Sequence, residues 1–121
     1  MTRRALSIRQ PWATLILMGG KNVENRTWKT NWTGRLVIHA SQKMDESAGD
    51  LIWQAEQLFG GPLPRGAFIG EVELYGWSDV EFASSEWATG PWCWLLGHPV
   101  AYKTPIPAKG KLGLFRVEDL P

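Results

Sequence analysis

The sequence predicts an α+β fold that is mainly β: a small barrel of five or six strands with two or more helices packed around it. Short alternating apolar stretches, separated by Gly and Pro turns, predict the strands, whereas only two segments repeat their apolar residues with a helical period. The chain has 121 residues, of which 44% are hydrophobic and 21% charged. That size and balance suit one domain over residues 1–121.

The first half of the chain contains three predicted strands and one helix. Residues 5–9 alternate as a short strand, and Pro11 then opens a helix over residues 11–18 that a pair of glycines ends. A second strand begins near Asn22. The third covers residues 34–41, where apolar side chains alternate.

The second half contains one further helix, one predicted strand and three later strand candidates. Apolar residues lie one, four, seven and eight positions after the first of them, and a Gly-Gly-Pro run then ends the helix. These residues are Leu51, Ile52, Ala55, Leu58 and Phe59. A strand is expected over residues 68–75, and the later strand candidates are 92–96, 100–103 and 112–117, while the segment 105–107 is expected to be an ordered connection.

Charge is divided along the chain, although the net charge is only +1. Residues 1–43 hold eight Lys or Arg and one Asp or Glu, whereas residues 44–98 hold one and nine. The last block, 99–121, holds four and two. The basic first third predicts a surface suited to an anionic partner. Alternatively, the basic and acidic blocks meet in the fold and neutralise each other.

Several classes of protein and of site are excluded by composition. Cys93 is the only cysteine and can form no disulfide within the chain, which favours a reducing cytoplasm. The apolar run of residues 15–18 is too short for a signal peptide or a membrane span. Two histidines and one cysteine fit no zinc spacing, and no phosphate loop, dinucleotide fingerprint or serine-hydrolase elbow is present. We therefore expect no metal, no cofactor and no membrane association.

A candidate site follows the first helix. In a strand, Glu24, Arg26 and Trp28 share one face by the two-residue period, with Lys21 at the turn before them. A guanidinium can bind phosphate or a carbonyl, a carboxylate can accept from a base N–H, and an indole can stack on a base. The alternative is an Arg-Glu pair beside a Trp28 that packs in the core.

Basic residues and indoles continue beyond this strand, as Lys29, Trp32 and Arg35. Cations interleaved with indoles in a polar loop are typical of a surface for single-stranded nucleic acid. Three other tryptophans, on the second helix and on a later strand, are expected to be packing residues: Trp53, Trp92 and Trp94.

The order of these motifs resembles the ASCH domain family. The family's hallmark Gly-x-Lys-x-x-Glu-x-Arg is matched at all four fixed positions, Gly19, Lys21, Glu24 and Arg26. A Gln-Pro-Trp entry at residues 10–12 precedes it. The C-terminal segment 105–115 is similar to the family's closing motif, Pro-x-Pro-x-Lys-Gly followed by Gly-Leu-Phe, so the resemblance covers nearly the whole chain.

The resemblance implies a PUA-like barrel with a cleft beside the first helix, and a role in binding RNA or another nucleic acid. Some small bacterial members resemble amidohydrolases that remove the acetyl group of N4-acetylcytidine with a lysine, a threonine and a glutamate; others are similar to ribonucleases. Lys21 matches that lysine, and Glu71 or Glu73 is available as the glutamate. Glu24 stands where the threonine would fall, and a carboxylate there is expected to raise the pKa of Lys21 and oppose its use as a base.

The leading hypothesis is a module that holds a nucleobase, a nucleoside or a short single-stranded RNA. Lys21 and Arg26 would contact phosphate or carbonyl oxygens, and Glu24 a base edge. Trp12, at the start of the first helix, would line the cleft, and Trp28 or Trp32 would contact a base face. Further contacts would come from Lys29 and Arg35 along the phosphates and from the Gln10 amide, unless Gln10 serves only the helix entry. The alternatives are a hydrolase of RNA or of a modified nucleoside, and a protein-interaction module.

Overall fold

The computed structural model describes residues 3–118 and 120. The described elements are β1 (Arg3–Gln10), α1 (Trp12–Met18), β2 (Val23–Arg26), β3 (Gly34–Met44), a 3-10 turn (Glu46–Ala48), α2 (Asp50–Phe59), β4 (Ala67–Ser78), α3 (Val80–Ala83), β5 (Trp92–Pro107) and β6 (Leu114–Val117). The mainly β prediction is confirmed, with three α-helices accompanying the six strands.

The six strands form one mixed sheet in the order β2-β5-β4-β3-β1-β6. β1 and β3 are parallel, which is possible because α1 and β2 provide the long connection that parallel neighbours need; the other pairs are antiparallel. Closure into a barrel is a correction to the prediction: within the described residues no ladder joins the terminal strands. Arg26 on β2 instead donates to the carbonyl oxygen of Ser7 on β1, at 3.0 Å.

Both faces of the sheet are covered over the middle of β3, where residues 36–38 are apolar and buried. Leu36 and Ile38 of β3 belong to the larger core, together with α1 residues, whereas Val37 between them packs with Phe68 and Phe115 in a smaller core on the other face. The alternation expected for residues 34–41 is therefore present, but neither face of β3 is open to solvent over its middle residues.

The helix α1 is buried between the sheet and α2. Its first turn is fixed by Gln10, whose Oε1 accepts from the Thr14 amide at 3.0 Å and whose Nε2 donates to the Pro64 carbonyl at 2.9 Å. An otherwise unpaired amide at the helix start is thereby satisfied. The helix α2 ends at Gly60, whose φ of 94° lies in the left-handed region that glycine adopts readily.

Several elements differ from the expectation. The strands expected at 92–96 and 100–103 and the connection at 105–107 are one 16-residue strand, β5, because bulges in its ladder with β4 absorb the irregular pattern. Two further elements, α3 and the 3-10 turn, were not predicted, because they are too short to show a period. Among the described residues, no helix has the length and apolar character needed to cross a membrane.

Candidate functional site

An open cleft of about 940 Å³ lies along the seam where β2 approaches β1; we call it the seam cleft. One side is formed by β2 and the residues after it, including Glu24, Arg26 and Trp28. The other side is formed by the ends of β1 and β3 and by the segment 108–113 between β5 and β6. The cleft therefore exists because the two strands meet through side chains rather than through a ladder.

Lys21, Glu24 and Arg26 form one chain of contacts at this seam. Lys21 Nζ donates to the Val23 carbonyl and lies 3.6 Å from Glu24 Oε1. Arg26 Nε donates to Glu24 Oε2 at 3.0 Å, and its terminal nitrogen donates to the Ser7 carbonyl. Glu24 and Arg26 thus lie on one face of β2, as the two-residue period predicted. These two residues also form the Arg-Glu pair of the alternative interpretation.

The protonation of Lys21 is governed by burial. Lys21 is only 5% exposed, and this desolvation lowers its pKa below the ordinary value of 10.5. Glu24 acts in the opposite direction, as the sequence analysis expected, but its effect is smaller than that of burial. The net shift is therefore downwards, opposite to the expectation for this lysine.

A smaller cleft of about 490 Å³ adjoins the first. Trp12, Glu24 and Asn25 line both clefts, and Lys21 and Trp87 line only the smaller one. Trp12 is held in this position because its Nε1 donates to Asp45 Oδ2 at 3.0 Å. Its ring lies 5.8 Å from Lys21 Nζ, so the lysine has an aromatic face as well as a carboxylate beside it.

Asn25 fixes the loop that forms the outer wall of the smaller cleft. Its Nδ2 donates to the Trp87 carbonyl, and its Oδ1 accepts from the backbone amides of Thr89 and Gly90 at 2.9 Å. One side chain of β2 thus joins the loop before β5 to the strand that carries Glu24. The sequence analysis did not single out Asn25, because an asparagine in a strand carries no motif of its own.

Trp28 provides the aromatic surface of the seam cleft. It is 37% exposed and packs edge-on against the buried Trp94, with ring centroids 4.6 Å apart. The Trp94 Nε1 donates to the Trp28 carbonyl at 3.0 Å. Contact with the core on one side leaves the other part of the indole facing the cleft, so Trp28 is neither a core residue nor a free surface residue.

Other indoles differ in their surroundings. Trp32 packs on the larger core and lines neither cleft, with the Arg4 guanidinium 5.5 Å from its ring. The expectation of packing holds for the buried Trp94 and the half-buried Trp92, but it is wrong for Trp53, which is 63% exposed on α2.

Lys29 and Gln10 also lie outside both clefts. The Lys29 ammonium sits 4.5 Å from the ring centres of both Trp77 and Trp92, on the β4–β5 surface. Gln10 is fully buried and its amide is occupied by the helix entry described above, which corresponds to the second of the two roles considered for it.

Arg35, Glu71 and Glu73 belong to a separate network on the outer side of β3 and β4. Glu71 accepts from Arg3 and from the Tyr102 hydroxyl, both at 2.7 Å, and lies 3.5 Å from Arg35. Glu73 lies 3.8 Å from Arg35. Neither glutamate lines a cleft with Lys21, so the structure does not bring the lysine together with the carboxylates considered as its catalytic partners.

Four further cations line the seam cleft that the sequence analysis did not assign to the site: Arg9, Lys43, Lys109 and Lys111. With Arg26 they make five basic side chains, whereas Glu24 is the one described acidic residue of the lining. Lys109 and Lys111 lie in the segment compared with the family's closing motif, which was their only signal. Their convergence with Lys43 depends on the sheet order, which no local pattern encodes.

Comparison with known proteins identifies a family whose model matches this chain. The family model described as ASCH domain matches residues 6–118. Human activating signal cointegrator 1 is 28% identical over 94% of this chain, and the mouse protein of that name is 35% identical over 57% of it. The matched regions are 22% and 13% of those relatives, so the chain corresponds to a minor part of their length.

Proposed function

This chain belongs to the ASCH domain family, and on that premise we propose that it binds RNA or another single-stranded nucleic acid in the seam cleft. The observation that carries the proposal is the adjacency of Arg26 and the partly exposed Trp28 on one wall of an open cleft. A guanidinium supplies planar donors for phosphate or carbonyl oxygens, and an indole stacks on any base.

Each side chain of the seam has a distinct proposed role. Arg26 keeps its Nε on Glu24 and presents the remaining donors of its guanidinium to phosphate or carbonyl oxygens. Trp28 contacts the face of a base. Glu24 and Lys21, which line the smaller cleft, contact the edge of a base that reaches past Trp12. The buried free thiol of Cys93 suits a reducing compartment such as the cytoplasm.

A salt titration tests nucleic-acid binding directly. Filter binding of a short single-stranded RNA is measured between about 50 and 200 mM salt, a range over which phosphate contacts weaken steeply. Arg26→Ala is expected to lower affinity about tenfold and to reduce the salt slope by about 0.7, the contribution of one contact to a single strand. Arg35→Ala is the matched control, because Arg35 lines neither cleft. A flat salt dependence of the unmodified protein would contradict the proposal.

A second candidate function is hydrolysis of a modified nucleoside such as N4-acetylcytidine, or of RNA. The specific observation in its favour is the lowered pKa of Lys21, because a lysine is useful as a base only when part of it is neutral near working pH. Glu24 then takes the role of the neighbouring acid, at 3.6 Å. Incubation with N4-acetylcytidine tests this candidate: release of cytidine that Lys21→Ala abolishes supports it, and absence of turnover rejects it for this substrate.

A further inference from the structure

Three exposed lysines line the side of the seam cleft that lies opposite β2. Lys43 comes from the end of β3, and Lys109 and Lys111 come from the segment between β5 and β6; we call these three residues the lysine wall. Within residues 3–118 and 120, none of the three takes part in an ion pair. Arg9 lies nearby, but its charge acts on the Asp45 carboxylate and is not counted with them.

The segment that carries two of these lysines is fixed to the sheet. The Ala108 amide donates to the Gly66 carbonyl at 2.9 Å, and the Ala108 carbonyl lies 2.7 Å from His39 Nε2. Gly110 packs so closely on Ser7 and His39 that an added Cβ would stand 2.8 Å from Ser7 Oγ. The backbone that carries Lys109 and Lys111 is therefore held at one place along the cleft, which reduces the loop-ordering entropy lost when these residues bind a ligand.

Unpaired like charges at one wall of a cleft are unfavourable for the empty protein and favourable towards an anion with several separated charges. Such an anion fits the cleft in size: about 940 Å³ stands at the upper end of the range of about 300 to 1,000 Å³ for small-molecule pockets, and this cleft is open. A nucleoside has no phosphate, and a mononucleotide has one. Three lysines along one wall match the repeated phosphates of a longer strand.

We propose that the lysine wall is a backbone-binding site, so that the ligand of the seam cleft is an internal segment of a single-stranded polynucleotide and not a free nucleoside or mononucleotide. Its consecutive phosphates lie along Lys43, Lys109 and Lys111. One of its bases turns to Trp28 on the other wall. This inference rests on the proposed nucleic-acid binding, and it specifies the length and strandedness of the ligand.

The two walls of the seam cleft differ in chemistry, and this difference favours a single-stranded ligand over a duplex. A duplex offers phosphates to lysines but keeps its base faces stacked inside, where an indole on a cleft wall cannot reach them. A single strand offers phosphates on one side and an unpaired base on the other at the same time. Both RNA and DNA single strands have this chemistry, and only the 2′-hydroxyl distinguishes them.

The test is a length series with the full 121-residue chain: cytidine, a mononucleotide, and oligonucleotides of two, four and eight residues, as RNA and as DNA. We expect affinity to rise at each step up to at least four residues, and a single strand to bind more tightly than the duplex of the same sequence. A mononucleotide that binds as tightly as the octamer overturns the proposal, and so does equal affinity for single strand and duplex.

Substitution of the three lysines tests whether the dependence of affinity on ligand length arises at the lysine wall. The triple variant Lys43→Gln, Lys109→Gln, Lys111→Gln is expected to lower octamer affinity by at least about tenfold and to reduce the salt slope by about 2, from about 0.7 for each lost phosphate contact. Its effect on a mononucleotide is expected to be much smaller. Lys103→Gln is the control, since Lys103 is exposed on β5 and lines neither cleft.

The two proposals fail in different ways. If the unmodified protein binds no polynucleotide, the proposed function itself is wrong. If it binds, and Arg26→Ala weakens binding while the triple variant matches Lys103→Gln, only the lysine wall is wrong. Because all three lysines are exposed, their substitution is expected to leave the fold intact, which circular dichroism and urea unfolding of the same samples check.

Discussion

The network around Glu71 pairs its cations with carboxylates, whereas the seam cleft contains cations that have no such partner among the described residues. In the Glu71 network, the basic residues Arg3 and Arg35 are paired with carboxylates at 2.7 to 3.8 Å. In the seam cleft, Lys43 from the same basic third of the chain has no carboxylate partner among the described residues. The neutralisation considered for the charge blocks is thus observed around Glu71, whereas the binding of an anionic partner by the basic block stays a prediction.

Strand register explains the difference. Arg35 of β3 is placed opposite Glu73 of β4, and Val37 opposite Glu71, so the middle of the ladder neutralises its own charges. The end of β3 extends beyond that ladder, and Lys43 lines the seam cleft with β1 and the segment 108–113, whose charged lining residues are all cations. A cation of the basic sequence block therefore keeps its charge unpaired only where no acidic strand lies alongside it.

The substitution Trp28→Ala best distinguishes the seam cleft from the network around Glu71. Loss of a base-stacking indole is expected to weaken binding of single-stranded RNA by about 2 kcal/mol, roughly thirtyfold. Some stability is also expected to be lost, because Trp28 packs on Trp94. Binding is therefore measured by fluorescence anisotropy at a temperature where urea unfolding shows the variant to be folded.

Trp53→Ala is the control for this variant, since Trp53 is more exposed and lines neither cleft. Equal RNA affinities of Trp28→Ala and Trp53→Ala would show that Trp28 is not part of the proposed site.

Glu71→Ala tests the other region. Removal of this carboxylate leaves Arg3, Arg35 and the Tyr102 hydroxyl without their shared acceptor, and we expect the free energy of unfolding to fall by about 1.5 kcal/mol. Urea denaturation measures this loss. Affinity for RNA in the folded range is expected to change less than twofold.

Glu73→Ala serves as the comparison for Glu71→Ala, because Glu73 is more exposed and has one ion pair at 3.8 Å. A Glu71→Ala protein that stays folded but loses RNA affinity would show that the two regions are not independent.

The smallest effect is expected from the pH dependence of Lys21. Its folded-state pKa lies below the ordinary 10.5, so between these two values the unfolded chain binds more protons than the folded chain. Stability conferred by this group therefore rises with pH through that window. Lys21→Met is expected to abolish this rise, as seen in urea unfolding at several pH values from 7 upwards.

Tyr102 acts in the opposite sense at the alkaline end. Burial and the contact with Glu71 raise its pKa, so its contribution to stability is lost as the pH rises above the ordinary value of 10.0. Because Tyr102 is present in both proteins, the difference between the unmodified chain and Lys21→Met isolates the lysine. A difference that does not change with pH would contradict the shift.

Local patterns predicted much of the fold. The helix after Pro11 and the strand that follows β2 are found near their expected bounds, because both depend on periodicity and on glycine and proline signals. The two-residue period also placed Glu24 and Arg26 on one face. Closure of the sheet was wrong, because closure depends on whether β2 and β6 pair, and no local pattern reports the pairing of terminal strands.

The site was predicted only as far as it is local. Lys21, Glu24, Arg26 and Trp28 lie within eight residues of one another, and the structure keeps them together at the seam. Lys29 precedes β3 and Arg35 lies at its start, but both side chains end on other surfaces, Lys29 against Trp77 and Trp92 and Arg35 beside Glu73. Nearness in sequence was an unreliable guide beyond one short strand.

By itself, the amino-acid sequence determined the mainly β class, the two longer helices and the placement of Glu24 and Arg26 on one face of β2. Each of these depends on interactions between residues a few positions apart. Only the tertiary structure decided which charges stay unpaired. Sheet order brought Lys43 and Lys109, 66 positions apart in the chain, to one wall, and strand register gave Arg35 its acidic partners. Charge pairing acts through space, so it is fixed only when distant strands take their places.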